Sequence, residues 1–270
     1  MSNLLSQMQC QAKVCAPLLL LVAGCSEYDF IDKPETLTTP PEEVVDTGDV
    51  TGDTAVADAP VYANTSTELF EVVPETGDKV LQGRFLNGAG QPVDNFVDIA
   101  INTMGHMYGG TFDALYRIDP STARVTLVCE TEIDMTALTF TSTGTLISGG
   151  ETDIHRVDIN TCASSPLLTN SVFETSGDLV GLPDGYLYWT VAGADNDELV
   201  RVDPNTGSTT WIGFINTSKL FGLGYDEGEL YGFSKTGEIV RISPTAATST
   251  IVTVDAQTSW WGATTNPVLW

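Results

Sequence analysis

The chain of 270 residues carries 36 acidic against 11 basic side chains, a formal charge of −25. Neutralising phosphates takes clustered lysine and arginine, and residues 61 to 270 hold nine cations against twenty-six acids, which argues against nucleic acid and against direct docking on anionic lipid. A hydrophobic content of 42% with 25 glycines and 13 prolines suits a buried core interrupted by many tight turns.

In chain order the first element is an export signal. Lys13 is the only early cation, the apolar run Ala16 to Ala23 follows, and Gly24-Cys25 closes it. Met8, nearer to Lys13, begins a more usual n-region than Met1 does. Val14 to Ala23 is about half of the roughly 20 apolar residues that a spanning helix needs. Leu21-Val22-Ala23-Gly24-Cys25 resembles the lipobox of bacterial lipoproteins. The resemblance implies a signal peptide over 1–24, cleavage before Cys25, lipid on its thiol, and membrane contact through that lipid anchor only. Ser26 after the cysteine implies, by Gram-negative sorting, the outer membrane.

Residues 25–67 read as a tether. Ser26 to Pro60 holds ten carboxylates against Lys33 alone, a composition with too little apolar surface to offset the entropy of ordering. Extended by like charges, it would span up to about 100 Å at about 3.1 Å per residue. Asp46-Thr47-Gly48 matches an aspartic protease triplet but lacks the apolar strands around it and a second copy.

Residues 68–270 contain a repeat: MYGGTFDALYRIDP (107 to 120), LISGGETDIHRVDI (146 to 159), LYWTVAGADNDELVRVDP (187 to 204) and LYGFSKTGEIVRISP (230 to 244). Its arginines, Arg117, Arg156, Arg201 and Arg241, are spaced by 39, 45 and 40 residues, the period of propeller blades. Each unit parses into four short β-rich runs; in the first they are Phe96 to Ile101, His106 to Gly110, Ala114 to Asp119 and Arg124 to Cys129. Leu69 to Gly77 looks like the second half of a unit and Trp260 to Trp270 like a first half, so pairing the termini makes one more blade and removes the open edges. The predicted fold is all-β, a five-bladed β-propeller with a composite blade; a six-bladed ring, with strands hidden in 84 to 95, is the alternative.

LYRIDPSTARVTLV and LVRVDPNTGSTTWIG resemble the blade repeats of secreted bacterial propellers of the YVTN, NHL and quinoprotein-like kinds. The resemblance implies the fold and no particular chemistry.

The repeated Arg117, Arg156, Arg201 and Arg241 predict a structural role in every blade, pairing with carboxylates or turn carbonyls, with Glu71 at the composite blade. Asp119, Asp158 and Asp203 predict turns closed through backbone amides. His106 and His155 have no nucleophile beside them. Cys129 and Cys162 form a candidate disulfide in an exported chain. However, placing one at the end of a fourth strand and the other in a turn puts them about 17 Å apart, beyond the roughly 7 Å that a disulfide spans.

Convergence of Asp98, Asp134 and Asp178 at the channel mouth would supply hard oxygen ligands for Ca²⁺, resembling in residue kind the metal-centred gluconolactonase-type propellers; no other cofactor is implied. The function these residues predict is a lipid-anchored cell-envelope module that binds an envelope protein, glycan or small ligand without catalysis. A Ca-dependent hydrolase or lactonase is the alternative, and a purely structural scaffold the third.

Overall fold

A computed structural model describes residues 60–267. Cys25, the signal and most of the tether lie outside the described residues. Twenty strands form five antiparallel sheets of four. The chain begins with β1 (Val61–Asn64), β2 (Glu68–Val73) and β3 (Asp78–Arg84). Three of the continuous blades follow: β4 (Asp98–Ile101), β5 (Met107–Gly110), β6 (Ala114–Ile118) and β7 (Val125–Glu130); β8 (Ala137–Phe140), β9 (Leu146–Gly150), β10 (Asp153–Val157) and β11 (Ser164–Leu168); β12 (Thr175–Gly181), β13 (Leu187–Ala192), β14 (Asp197–Val202) and β15 (Thr209–Phe214). The fourth is β16 (Leu220–Asp226), β17 (Glu229–Ser234), β18 (Glu238–Ile242) and β19 (Ser249–Val254), and β20 (Gly262–Thr265) then pairs with β1. The inner strands β4, β8, β12, β16 and β20 adjoin in turn and β20 returns to β4, so the molecule is a five-bladed β-propeller.

Burial grades outward from the axis. β4, β8 and β20 are buried at every residue, the third strands are partly buried, and the fourth strands β11, β15 and β19 are largely exposed. The core therefore lies between blades. Val180, Tyr188 and Leu199 of one blade, for instance, pack on Leu220, Leu223 and Val240 of the next. Trp189 and Trp260, both fully buried, anchor two other clusters. Each buried side chain of that size contributes about 1.5–3 kcal/mol.

The composite blade is built differently from the two-plus-two division the sequence suggests. The C-terminal segment supplies one strand, β20, and the N-terminal segment three. β1 falls inside the stretch assigned to the tether, because the four residues Val61 to Asn64 give too short a signal to stand out from the polar residues around them. Residues 84 to 95 hold no sixth blade. They make isolated bridges from Leu86 to Pro92 and Arg124, and insert Phe85 into the core, its ring centroid 4.0 Å from that of Phe96.

The same junction recurs between all five blades. Every fourth strand carries a bulge, at Gly83, Cys129, Leu168, Gly213 and Thr253. Every turn between third and fourth strands holds a left-handed residue, at Gly77, Ala123, Cys162, Gly207 and Ala247, whose N–H bonds the carbonyl four residues back at 2.8 Å. Each bulge meets the next blade's left-handed residue: a Cβ built on Gly83 falls 3.4 Å from that of Ala123, and one on Gly213 falls 3.1 Å from that of Ala247. Cys129 and Cys162 occupy the equivalent junction and are joined, with Cα atoms 5.9 Å apart. The separation inferred from opposite rims fails because of twist. Each strand turns about 20–25° from its neighbour, so a fourth strand lies across the ring and reaches the next blade's turn instead of the far rim.

Candidate site at the channel mouth

Aligning the inner strands on Ile99, Leu138, Leu179, Leu223 and Ala263 puts five equivalent residues directly before them: Asp98, Ala137, Asp178, Gly222 and Gly262. Just inside, the N–H groups of Ile99, Leu138, Leu179, Leu223 and Ala263 belong to the free inner edges of the sheets. Unpaired, such groups are costly. Two aspartates receive all five. Asp98 accepts from Ile99 at 2.7 Å and, across the blade boundary, from Leu138 at 2.5 Å. Asp178 accepts from Leu179 at 2.5 Å, from Leu223 of the next blade, and from Ala263. The other three positions must be small: a Cβ on Gly262 would lie 2.3 Å from Asp98 Oδ1 and 2.6 Å from Asn64 Oδ1.

Both carboxyls are fully buried and bond each other. Burial, then the charge of Asp178, holds Asp98 well above the usual carboxylate range. Burial pushes Asp178 up to about 8, opposed by its hydrogen bonds. The pair thus retains at least one proton at neutral pH.

This arrangement does not fit the Ca²⁺ set. Asp134 is exposed and lines a separate hollow of about 150 Å³ with Gly150, Asp153 and His155, while the oxygens of Asp98 and Asp178 face N–H groups, whose positive ends repel a cation. Among the described residues no three His, Cys, Asp or Glu side chains form a ligand cluster.

The repeated residues lie away from the axis. Arg117 stacks on Tyr108, its cross-strand partner, at 5.1 Å, and Arg201 on Tyr186 at 4.4 Å. Arg156 donates to the carbonyls of Pro204 and Asn205 in the next blade, at 2.9 and 3.2 Å. Arg241 pairs across strands with Tyr231. None of the four joins an ion pair among the described residues; aromatic faces and carbonyls take the place of carboxylates. Asp119, Asp158 and Asp203 accept the N–H two residues on, at 2.9, 2.7 and 2.8 Å. A hollow of about 430 Å³ lies between the Asp203 turn, Arg156 and the turns around Thr143 and Gly185. Its charged groups are already engaged: Asp184 takes the Tyr186 N–H and the Tyr188 hydroxyl, and Asp203 and Arg156 are held as described.

One residue above the aspartates, at the face where the inner strands begin, stand Val97, Thr136, Gly177, Phe221 and Trp261, one from each blade. Phe112, from the β5–β6 loop, joins them and is 53% exposed. They enclose a hollow of about 90 Å³ on the pseudo-fivefold axis. Gly177 is required here, because a Cβ would lie 2.6 Å from the Phe221 backbone. Phe221 and Trp261 meet edge to face at 6.5 Å, and the Lys235 ammonium lies 5.3 and 5.4 Å from their ring centroids. These aromatics do not stand out in single blades; they emerge on aligning the residues that precede Asp98, Ala137, Asp178, Gly222 and Gly262.

No family model matches the sequence, and no curated protein aligns with it. Among solved structures, a chain of a nidogen/laminin complex is similar at 11% identity and a TM-score of 0.52, covering 78% of this chain and 99% of that one. A protein of unknown function from Bacteroides caccae aligns at 11% identity and a TM-score of 0.48, over 78% and 100%. At these identities the likeness is one of propeller fold alone.

Proposed function

We propose that this chain is a non-catalytic binding module, displayed at the cell envelope from a lipid on Cys25, whose ligand seats in the aromatic channel mouth. The observation that carries it is the convergence of one residue from each of five blades on a hollow that keeps Phe112, Phe221 and Trp261 within reach of solvent. Large aromatic surface left at a concave site is the usual mark of recognition. The acids beneath are bonded to backbone amides and do not face it, so they hold the mouth's shape. The hydrolase alternative loses its support with the Ca²⁺ set. Sorting to the outer membrane follows from Ser26, and the ligand is an envelope protein, glycan or small molecule.

Two measurements test this. Cys25→Ser should move the chain from the membrane to the soluble fraction; retention in the membrane would contradict the anchor. Hydrogen-exchange footprints with envelope fractions should show protection around Phe112, Phe221 and Trp261, and protection confined to the opposite turns would contradict the site.

A further inference from the structure

Lys235 is one of the few cations of a strongly acidic chain, yet among the described residues it joins no ion pair. Its backbone is fixed, the N–H bonding the Lys219 carbonyl at 2.9 Å, while its side chain is exposed. The ammonium lies over Phe221 and Trp261 together. Aromatic faces attract a cation through their quadrupole, most strongly for tryptophan. The mouth is thus seen with a cation of its own on it.

The surroundings favour another cation over other ligands. The loops on this face, those before the inner strands and those between second and third strands, carry exposed Asp113, Glu132, Asp134, Glu151 and Asp195. Their field raises the local concentration of positive groups. The hollow is small, about 90 Å³, and open to solvent, so a slender alkylammonium chain can enter it end-on.

Resting on the reading of the mouth as the binding site, we propose that its ligand is an alkylammonium group, the lysine side chain of a basic partner segment, which takes the place of Lys235 between Phe112, Phe221 and Trp261. The flexible stem of Lys235 lets it swing out to solvent, so the resident lysine competes with the incoming one and sets the affinity.

The test titrates the purified full-length chain with a capped, glycine-flanked lysine pentapeptide and with its norleucine twin, followed by calorimetry and by tryptophan fluorescence. The lysine peptide should bind and the norleucine peptide should not. Trp261→Ala should weaken binding on the order of tenfold, as should Phe112→Ala, whose exposed side chain makes it safe for folding. Lys235→Met should strengthen binding several-fold by removing the competitor. Equal binding of the norleucine peptide, lost in Phe112→Ala, would overturn the ammonium assignment while leaving the mouth as the ligand site. Weaker binding in Lys235→Met would also overturn it, since Lys235 would then assist the ligand. Binding indifferent to both aromatic substitutions, or no binding of either peptide together with no exchange footprint at the mouth, would overturn this inference, and the latter would remove the proposed site as well.

Discussion

Asp98 and Asp178 do for the inner edges what a partner strand does elsewhere, receiving N–H groups that no ladder can reach. Asp178→Ala would orphan the amides of Leu179, Leu223 and Ala263. At about 1 kcal/mol or more for each, stability should fall by about 3 kcal/mol and the melting temperature by roughly 6–12 °C. An unchanged melting temperature would show that the amides have other partners. The pH dependence has a definite sign. Both carboxyls titrate higher in the folded than in the unfolded chain, so the folded state binds more protons. The contribution of Asp178 is full below about 4 and is lost as pH rises through about 8; that of Asp98 declines in the same direction. Asp255, held down to about 2 by Lys79 and then Thr258, loses its contribution only as pH falls through that value, outside this window. Thermal melts from pH 4 to pH 9 should therefore show declining stability, with a flatter decline in Asp98→Asn. In the sequence Asp98 and Asp178 stand out as channel acids, but whether they face a metal or amides depends on the inner edges, which only the closed ring reveals.

Among the elements, the blade junction shows what sequence patterning conveys and what it hides. Strand order, turn glycines such as Gly105, Gly144, Gly185 and Gly228, all at positive φ, and the Asp-led turns are legible, because each is a local signal in a single blade. The contact between a bulge and the following blade's turn is not, since it depends on twist accumulated over four strands. Size matching at the junction then becomes clear: Gly83 with Ala123, Leu168 with Gly207, Gly213 with Ala247 and Thr253 with Gly77 each include at least one residue no larger than alanine. Cys129 and Cys162 fill the same gap with a covalent bond. Cys129→Gly with Cys162→Ala copies two other junctions, so the chain should still fold. It should lose about 3–4 kcal/mol, the cross-link's restriction of a loop whose ends are 33 residues apart. Reductant should lower the wild-type melting temperature to that of the double variant and leave the variant unmoved. A variant that responds to reductant would show that the effect comes from elsewhere.

For the molecule as a whole, closure and function are one question. Trp261 immediately precedes β20, and β20 is held by Val61 to Asn64 on one side and by the neighbouring inner strands at the axis. The mouth exists only while the two ends of the domain are paired. Closure by the termini is legible in the incomplete units, but the division of one strand and three is not, because β1 gives so short a signal. Amide hydrogen exchange resolved by segment tests this most directly. Gly262 to Thr265 should be protected as strongly as the inner strand Asp98 to Ile101, and should lose protection together with Val61 to Asn64 as denaturant is added. Rapid exchange of the C-terminal segment beside a protected remainder would contradict the closed ring and the binding site built on it.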